Sequence, residues 1–170
     1  MNKTVTLFGA TGMIGGEILK LLINDDYCKV INVIARGKIG IQSKKIKNYT
    51  IDFTNVQDYK KIIKKNDVVI ASIGTTQSKV NFDKTEYRKV DYDILLNIAM
   101  ACKTNSASCF CFVSSAGANE KSRNFYLKLK GEIENSILQL GLKSCLIFRP
   151  SLLLGKRNEF RFGEMIAQKF

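Results

Sequence analysis

The stretch VTLFGATGMIGG, residues 5–16, decides the fold of this 170-residue chain. A β-prone run ends at Phe8, glycines follow at positions 9, 12, 15 and 16, and apolar residues then recur at helical spacing. This order predicts a β-strand, a tight turn and the first turn of a helix. The free N–H groups and positive partial charge of such a helix start favour a phosphate.

The glycines of this turn have separate tasks in dinucleotide binding. Gly9 permits the tight turn, Gly12 lets backbone N–H groups approach a pyrophosphate, and Gly15 lets the helix pack closely on the strand. An ordinary glycine-rich turn is the alternative, but the strand before it and the amphipathic segment after it favour a nucleotide site. The expected cofactor-binding residues of this segment are Gly9, Thr11, Gly12, Met13, Ile14 and Gly15.

Length and composition are those of one compact α/β domain, with 45% hydrophobic residues among 170. No apolar run approaches the roughly 18 residues of a membrane-spanning helix. Gly9, Gly12 and Glu17 interrupt the N-terminal segment before it could serve as a secretory signal. Five cysteines include no CxxC pair, so we expect reduced, structural thiols. These features predict a cytoplasmic protein without membrane association.

The chain contains no histidine, which excludes the Ser-His-Asp triad, the Cys-His dyad and His-ligated zinc, and no metal site is expected. The formal net charge of +12 favours anionic ligands, or belongs to a solvated surface. Nucleic-acid binding ranks third among the functional hypotheses. The basic charge is not accompanied by a helix-turn-helix, zinc or RNA-binding signature.

Strand-like and helix-like segments alternate along the chain. The predicted strands are residues 3–8, 29–35, 46–51, 67–73, 108–114 and 143–148. The fourth and fifth are continuously apolar, as expected for parallel strands that are covered on both faces. We therefore predict a single-domain α/β fold, a Rossmann-type doubly wound parallel sheet over residues 1–150. Pro150 ends the pattern, and residues 151–170 are expected to begin a small substrate-side segment.

The end of the second predicted strand bears on which nicotinamide dinucleotide binds. Folds that bind NAD have an Asp or Glu there for the ribose hydroxyls, whereas this chain has Arg36 and Lys38. A guanidinium can bind a 2′-phosphate through two hydrogen bonds and stack on adenine. This favours NADP over NAD, with a solvated basic strand end as the alternative. Asp52, after the third strand, is expected either to reach the adenine amino group or to cap the next helix.

A second chemical signal is the pair Tyr126 and Lys130, which are four residues apart and share a helix face. With 6 tyrosines and 21 lysines, chance alone gives about 0.7 such pairs, so position must supply the specificity. The pair follows the fifth strand and its terminal Ser114 and Ser115. A serine hydroxyl at the carboxyl edge of the sheet is thus expected to face the phenol. The alternative is a surface tyrosine and two turn serines.

GATGMIGG, SSAG and YLKLK, in this order, resemble the short-chain dehydrogenase/reductases over essentially the whole chain. Longer strings resemble an atypical branch, the Tat-interacting-protein-like NAD(P)-binding oxidoreductases. They are IGTT at 73–76, VDYD at 90–93, FVSSAGANEKSRNFYLKLKGEIE from 112 and FRPSLLLGKRNEFRFGE from 148. The resemblance implies a Rossmann fold, NADPH as the usual cofactor, and a catalytic constellation of Ser115, Tyr126 and Lys130. Ser114 is the alternative serine.

These residues suit the reduction of a carbonyl group. Tyr126 would donate a proton to the carbonyl oxygen as hydride arrives from the nicotinamide, with Lys130 beside it favouring the phenolate. Lys130 is also expected to bind the nicotinamide ribose, and Ser115 to hold the carbonyl oxygen. Gly74 and Thr75, in the loop after the fourth strand, are expected to line the cofactor.

Two departures from the family pattern qualify this prediction. Asp91 stands where many short-chain dehydrogenases have an Asn, so a proton relay through that Asn is not expected. The resemblance also predicts a few dozen residues beyond Phe170, so we expect a chain truncated at its C-terminus. Arg149, Arg157 and Arg161 either meet an acidic substrate or form a solvated or partner-facing cluster.

The leading hypothesis is an NADPH-dependent oxidoreductase acting on a small-molecule carbonyl compound, or an epimerase or dehydratase of the same fold. The alternative is a non-catalytic NADPH-binding regulatory protein that acts through a protein partner, because a fold alone does not guarantee chemistry. The sequence leaves the substrate and homo-oligomer formation open.

Overall fold

The computed structural model describes residues 3–151 and 153. Six strands in this part of the chain form one parallel sheet: β1 (Lys3–Phe8), β2 (Cys28–Ala35), β3 (Ile46–Thr50), β4 (Val68–Ala71), β5 (Cys109–Val113) and β6 (Cys145–Phe148). The α-helices are α1 (Met13–Asn24), α2 (Val56–Ile62), α3 (Lys84–Arg88), α4 (Ile94–Thr104) and α5 (Phe125–Gln139). The described helices include none that is long and apolar enough to cross a membrane.

β1 lies at the centre of the sheet, whose strand order is β3-β2-β1-β4-β5-β6. Leu7 of β1 is opposite Val33 of β2 on one side and Ile70 of β4 on the other. The chain winds outward from β1 to β3 and then returns to wind from β4 to β6. The strand order therefore reverses at β1, and open α/β sheets bind ligands in the crevice at such a reversal. This confirms the predicted doubly wound Rossmann-type fold.

Two apolar cores cover the two faces of the sheet. On one face, Phe8 and Phe110 of the sheet pack with Tyr59 of α2, Ile98 of α4 and Ile133 of α5. On the other face, α1 contributes Leu19 to a smaller core, which it shares with β1 and β2 residues that include Leu7 and Ile31. Burial of this apolar surface on both sides of the strands is the main stabilising contribution to the fold.

The predicted strands all occur, and their ends differ from the predicted ones by at most two residues. The largest differences are that β4 ends at Ala71 and that β6 begins at Cys145. Beyond β6, the carbonyl oxygen of Pro150 accepts a hydrogen bond from Ala116 N at 2.9 Å, so the chain there still runs beside the end of β5. The predicted substrate-side segment, residues 151–170, lies outside the described residues except for 151 and 153.

The connection between β4 and β5 contains an element that the sequence did not predict. A short 3-10 turn at Ser78–Val80 precedes α3, and a π-helical turn at Lys89–Asp93 joins α3 to α4. The wider turn of a π-helix changes the direction of its side chains relative to an α-helix, and such turns are frequent at functional sites. Asp91 lies in the middle of this turn and is buried.

Candidate functional site

The glycine-rich turn between β1 and α1 is closely packed. Gly9 has a φ of +84°, and a Cβ there would lie 2.7 Å from the backbone carbonyl of Ser72. A Cβ at Gly15 would lie 2.0 Å from the Gly9 carbonyl oxygen. Gly12 N donates to that same oxygen at 3.0 Å, which closes the turn. Gly9 is therefore required by its positive φ, in agreement with its predicted place in the tight turn. Gly15 is required by the close packing of α1 on this turn, in agreement with its predicted packing task.

The N-terminus of α1 suits an anion. Its N-cap is Gly12, which has no side chain that could cap the helix. The first turn that follows contains no acidic residue. The first N–H groups of an α-helix have no partner within the helix, and the helix dipole places positive partial charge there. Thr11 is exposed in the turn, and Met13 and Ile14 are half-buried at the start of the helix. The residues present thus fit the pyrophosphate of a dinucleotide.

The end of β2 carries exposed cationic side chains. Arg36 and Lys38 are both exposed, directly beyond Ala35. Ile51 N donates to the Ala35 carbonyl oxygen at 3.1 Å, which keeps the chain that leads to Asp52 beside this strand end. Asp52 Oδ1 accepts a hydrogen bond from Thr54 N at 2.9 Å, and this bond lowers the pKa of the carboxyl group. The N-cap of α2 is Asn55, so Asp52 stabilises the preceding turn rather than the helix start.

Asp91 and Lys130 form a buried ion pair near the carboxyl edge of the sheet. Lys130 Nζ lies 2.8 Å from Asp91 Oδ1, and the two side chains are only 5% and 2% exposed. Asp91 Oδ2 accepts a hydrogen bond from Thr75 N at 2.8 Å. A Cβ at Gly74 would lie 3.4 Å from Asp91 Oδ1. The loop after β4, the π-helical turn and α5 therefore meet at one carboxylate.

Tyr126 and Lys130 lie on one face of α5, as the four-residue spacing predicted. Lys130 Nζ lies 5.8 Å from the centroid of the Tyr126 ring. The Tyr126 ring also packs edge-on against Tyr87 of α3, with centroids 6.4 Å apart. Asn124 caps the helix by accepting from Leu127 N at 3.1 Å, which fixes the turn that carries the phenol.

The two candidate serines at the end of β5 differ in their surroundings. Ser114 Oγ is shielded from solvent, and among the described residues it is the buried side-chain polar atom without a hydrogen-bond partner. Ser115 is half-buried and its hydroxyl donates to the Ala116 carbonyl oxygen at 3.2 Å. Asn119 N donates to the Leu127 carbonyl oxygen at 3.0 Å, so the loop after Ser115 folds onto the start of α5.

Sequence reasoning missed the partners that organise the site. It treated Asp91 only as a departure from a family pattern, whereas the structure makes it the counterion of Lys130. It also missed Ser72, whose hydroxyl donates to the Phe8 carbonyl oxygen at 3.1 Å and packs against the glycine-rich turn. The string VDYD contains Asp91, and IGTT directly follows Ser72; these were the available signals.

The arginine cluster is only partly described. Arg149 binds Glu134 through two nitrogens, Nε to Oε1 at 3.0 Å and Nη2 to Oε2 at 2.5 Å. Its guanidinium is therefore occupied by a structural carboxylate of α5. Arg157 and Arg161 lie outside the described residues.

The cysteines are free thiols, as expected. Burial raises the pKa of the Cys111 thiol to about 12 and also raises the pKa of Cys102. Both thiols are therefore protonated at neutral pH and are poor nucleophiles. No group of three or more potential metal ligands occurs within residues 3–151 and 153.

Comparison with known proteins gives consistent matches. Residues 9–145 match the NAD(P)H-binding family. Protein FMP52 of Candida albicans is 34% identical over 167 residues, which cover 95% of this chain and 72% of that protein. Protein HTATIP2 of Rattus norvegicus is 32% identical over 172 residues, which cover 99% of this chain and 70% of that protein.

Solved structures share the fold. WbmH of Bordetella bronchiseptica, in complex with NAD+, has a TM-score of 0.78 at 18% identity, over 99% of this chain and 63% of that one. UDP-glucuronic acid 4-epimerase of Bacillus cereus, in complex with NAD, has a TM-score of 0.71 at 20% identity, over 98% of this chain and 62% of the epimerase chain. The chain thus spans less than two thirds of the length of these structures, and identities this low establish the fold alone.

The relatives also correct one expectation. The FMP52 proteins of Candida albicans, Emericella nidulans and Debaryomyces hansenii are named as mitochondrial. These findings contradict the cytoplasmic location expected from the sequence. That expectation was wrong because it rested on the lack of a secretory or membrane-spanning segment, and this lack does not separate cytosolic from mitochondrial proteins.

The family match and the sequence relatives agree with the geometry of the glycine-rich turn and with the order of the strands. The chain belongs to the NAD(P)H-binding family and is a relative of the FMP52 and HTATIP2 proteins, with a Rossmann-type doubly wound fold.

Proposed function

We propose that this protein is an NADPH-dependent oxidoreductase that reduces a small-molecule carbonyl compound, with Tyr126 as the proton donor. The observation that carries the proposal is the buried ammonium of Lys130, 5.8 Å from the centroid of the Tyr126 ring on the same face of α5. Burying a lysine ammonium is costly unless it is paired with an opposite charge, which Asp91 supplies here. A phenol beside a lysine, in a family that binds NAD(P)H, suits proton transfer to a carbonyl oxygen.

Residues around the carboxyl edge of the sheet would each bind a different part of the cofactor. The glycine-rich turn, with Gly9, Thr11, Gly12, Met13, Ile14 and Gly15, would hold the pyrophosphate. Arg36 and Lys38 would bind the 2′-phosphate of NADP, and Asp52 would approach the adenine. Gly74, Thr75 and Lys130 would line the nicotinamide end. When bound, the reduced nicotinamide supplies a hydride to the carbonyl carbon.

The chain's own residues would move the proton. The Tyr126 hydroxyl donates its proton to the carbonyl oxygen, which gives the alcohol, and the resulting phenolate recovers a proton from solvent. Ser115 would donate a hydrogen bond to the same oxygen and so orient the carbonyl group. Ser115 is preferred to Ser114 because the Ser114 hydroxyl is shielded from solvent. The Lys130 ammonium favours the phenolate once the proton has left.

A binding experiment tests the cofactor assignment. NADPH and NADH are titrated into the protein while nicotinamide fluorescence is followed, in the wild type and in Arg36→Ala. A charge-assisted hydrogen bond contributes about 1.5–3 kcal/mol, so Arg36→Ala is expected to weaken NADPH binding about 10- to 100-fold and to leave NADH binding nearly unchanged. Lys29→Ala, an exposed lysine at the opposite end of β2, is the matched control. Equal weakening of both nucleotides would contradict the NADP preference.

A turnover experiment tests the chemistry. Loss of NADPH absorbance is followed with a panel of aldehydes and ketones, in the wild type and in Tyr126→Phe. Removal of a general acid typically costs about 100- to 10,000-fold in rate, so Tyr126→Phe is expected to lose at least about 100-fold in kcat while it still binds NADPH. Saturable NADPH binding without turnover of any carbonyl would favour a regulatory NADPH-binding protein instead.

We propose that the protein acts in mitochondria, on the support of the FMP52 relatives that carry this location in their names. Fractionation of cells that express the full-length protein, with immunodetection, tests this. Recovery with mitochondrial matrix or membrane markers is expected. Recovery with a cytosolic marker alone would contradict it.

A further inference from the structure

We propose that a cavity beside β3 binds a small organic anion with an apolar body, whose acidic group contacts Lys38 and competes with the 2′-phosphate of NADP. The binding site itself stands on the geometry and charge of the cavity. The competition rests on the proposed function, in which Lys38 binds that phosphate. The proposal thus adds a second ligand that regulates cofactor binding from the edge of the sheet.

The connection between β2 and β3 forms one wall of this cavity. It runs through residues 36–45, and all of them lie outside helices and strands. The crossover between two parallel strands is usually a helix that covers the sheet. Here a cavity of about 370 Å³ is lined both by the connection and by β3. Sites for small molecules enclose about 300–1,000 Å³, so this volume suits a small ligand.

The lining of the cavity has an apolar side and a polar rim. Ile39, Ile41 and Ile46 form the apolar side. Ile39 and Ile46 pack against the smaller core, whereas Ile41 is 37% exposed. The polar rim includes Asn48 and Thr50, which lie on the same face of β3 as Ile46 because alternate residues of a strand share a face. A ligand with an apolar body would remove isoleucine surface from water.

The charge around the cavity has one sign. Residues 36–50 include no acidic residue and five basic ones, which are Arg36, Lys38, Lys44, Lys45 and Lys47. Lys38 lines the cavity and is exposed. The ion pairs within the described part of the chain do not include Lys38. This charge favours an anionic ligand over a neutral or cationic one.

Lys38 connects the cavity with the proposed cofactor site. It lies two residues beyond Arg36, where the 2′-phosphate of NADP would bind. Two anions beside one ammonium group repel each other at short distance, so each weakens the binding of the other. Because such coupling is reciprocal, the two affinities fall by the same factor. NADH has no 2′-phosphate, so its affinity is expected to stay nearly unchanged.

The first test measures the binding of 2-naphthoate by equilibrium dialysis, with 2-naphthamide as a neutral probe of similar shape. Naphthoate is expected to bind at one site and more tightly than naphthamide. Lys38→Gln is expected to weaken naphthoate binding about fivefold, as for an exposed charge pair, and to leave naphthamide binding unchanged. Lys47→Gln is the matched control, because it removes the same charge from the opposite face of β3.

A second variant fills the cavity without changing its charge. Asn48 is exposed and lines the cavity, so the indole of Asn48→Trp is expected to occupy the space and to abolish binding of both probes. Asn48→Ala leaves the space open and is expected to bind both probes as the wild type does. Because the position is exposed, both variants are expected to fold, which circular dichroism checks.

Three results would overturn the binding site. They are the lack of saturable naphthoate binding, equal binding in Asn48→Trp and Asn48→Ala, and equal weakening in Lys38→Gln and Lys47→Gln. The second of these would show that naphthoate binds elsewhere on the protein, and the third that it responds only to net charge.

A cofactor titration separates this inference from the proposed function. Saturating naphthoate is expected to raise the Kd of NADPH about fivefold and to leave the Kd of NADH nearly unchanged. A protein that binds naphthoate as expected but no NADPH would refute the proposed function and leave the cavity site standing. NADPH binding with a Kd that does not respond to naphthoate would overturn the competition and leave the proposed function standing.

Discussion

Among individual residues, Asp67 links the stability of this fold to pH. It is 4% exposed, and its Oδ2 accepts from Lys64 N at 2.9 Å and from Thr6 Oγ1 at 3.3 Å. Burial raises the pKa of its carboxyl group above the ordinary value of about 3.9. At pH values between the ordinary pKa, which holds in the unfolded chain, and the raised pKa of the folded state, the folded protein binds more protons than the unfolded chain. Stability therefore falls as pH rises through this window.

Asp67→Asn removes this dependence. The free energy of unfolding of the variant, minus that of the wild type, is therefore expected to increase from pH 4 to pH 7, by about 1.4 kcal/mol for each unit by which burial raises the pKa. Urea denaturation at several pH values measures it. In Asp52→Asn the difference is expected to fall as pH rises, and to do so below about pH 4, because the Thr54 hydrogen bond lowers the pKa of Asp52 below its ordinary value. A difference that is constant with pH in Asp67→Asn would refute the assignment.

Residue-scale prediction from the sequence succeeded where the cause was local. The turn at Gly9 and the shared face of Tyr126 and Lys130 depend on spacing within a few residues. Their roles in cofactor binding and catalysis stay predictions. The Asp91–Lys130 ion pair could not be foreseen, because it joins two elements 39 positions apart through a π-helical turn that has no recognisable spacing of its own.

At the scale of elements, α5 is positioned by a glycine. A Cβ at Gly131 would lie 2.2 Å from Glu120 N and 2.3 Å from the backbone carbon of Asn119. The helix that carries Tyr126 and Lys130 thus lies directly against the loop that follows β5. Because the contact is with backbone, a side chain at this position cannot be accommodated by rotamer changes alone.

Gly131→Ala is therefore expected to destabilise the protein by about 1–3 kcal/mol, the usual cost of overpacking, despite the better helix propensity of alanine. Chemical denaturation measures it. Gly16→Ala in α1 is the control, because its Cβ would meet the Ala10 carbonyl oxygen at an ordinary 3.6 Å. That variant is expected to be unchanged or slightly more stable. Similar losses in the two variants would show that close backbone packing is not the cause.

The elements themselves were predictable to different degrees. β5 was predicted to within one residue at each end, because continuous apolar runs are typical of strands covered on both faces. In the connection from β4 to β5, the sequence did not predict the separate 3-10 turn, α3 and π-helical turn. Asn81 and Phe82 have left-handed backbone, with φ of +49° and +61°. The turn could not be predicted, because neither residue is the glycine that usually indicates this conformation.

At the scale of the whole molecule, one sheet joins the two halves of the proposed nucleotide site. β2 and its Arg36 lie on one side of β1, and β4 and β5 with the Tyr126 helix follow on the other. A ligand that binds across β1 is therefore expected to stabilise the whole chain as one unit.

Thermal unfolding with NADPH tests this expectation. At a free concentration 100-fold above Kd, binding contributes about 2.7 kcal/mol, so Tm is expected to rise in a single transition. NADH at the same concentration is expected to raise Tm less. Two separate transitions, of which only one responds to NADPH, would show that the sheet does not unfold as one unit.

The fold class of the whole molecule followed from alternation of strand and helix patterns, because parallel sheets need a crossover between strands. Its location in the cell did not, because import depends on recognition by other proteins and not on the packing of the domain. The predicted substrate-side segment, residues 151–170, stays a prediction.

The central place of β1 has a consequence for how the protein folds. Every neighbouring strand pair is parallel, and Phe8 is opposite Ala71, so none of these contacts can form as a local hairpin. Sheets built from distant contacts fold slowly, since long loops must close before the contacts compensate. Ser72 packs against Gly9 and Gly15, so the glycine-rich turn is complete only after more than 70 residues have been synthesised. The glycine-rich turn is thus synthesised well before the residue that completes its packing.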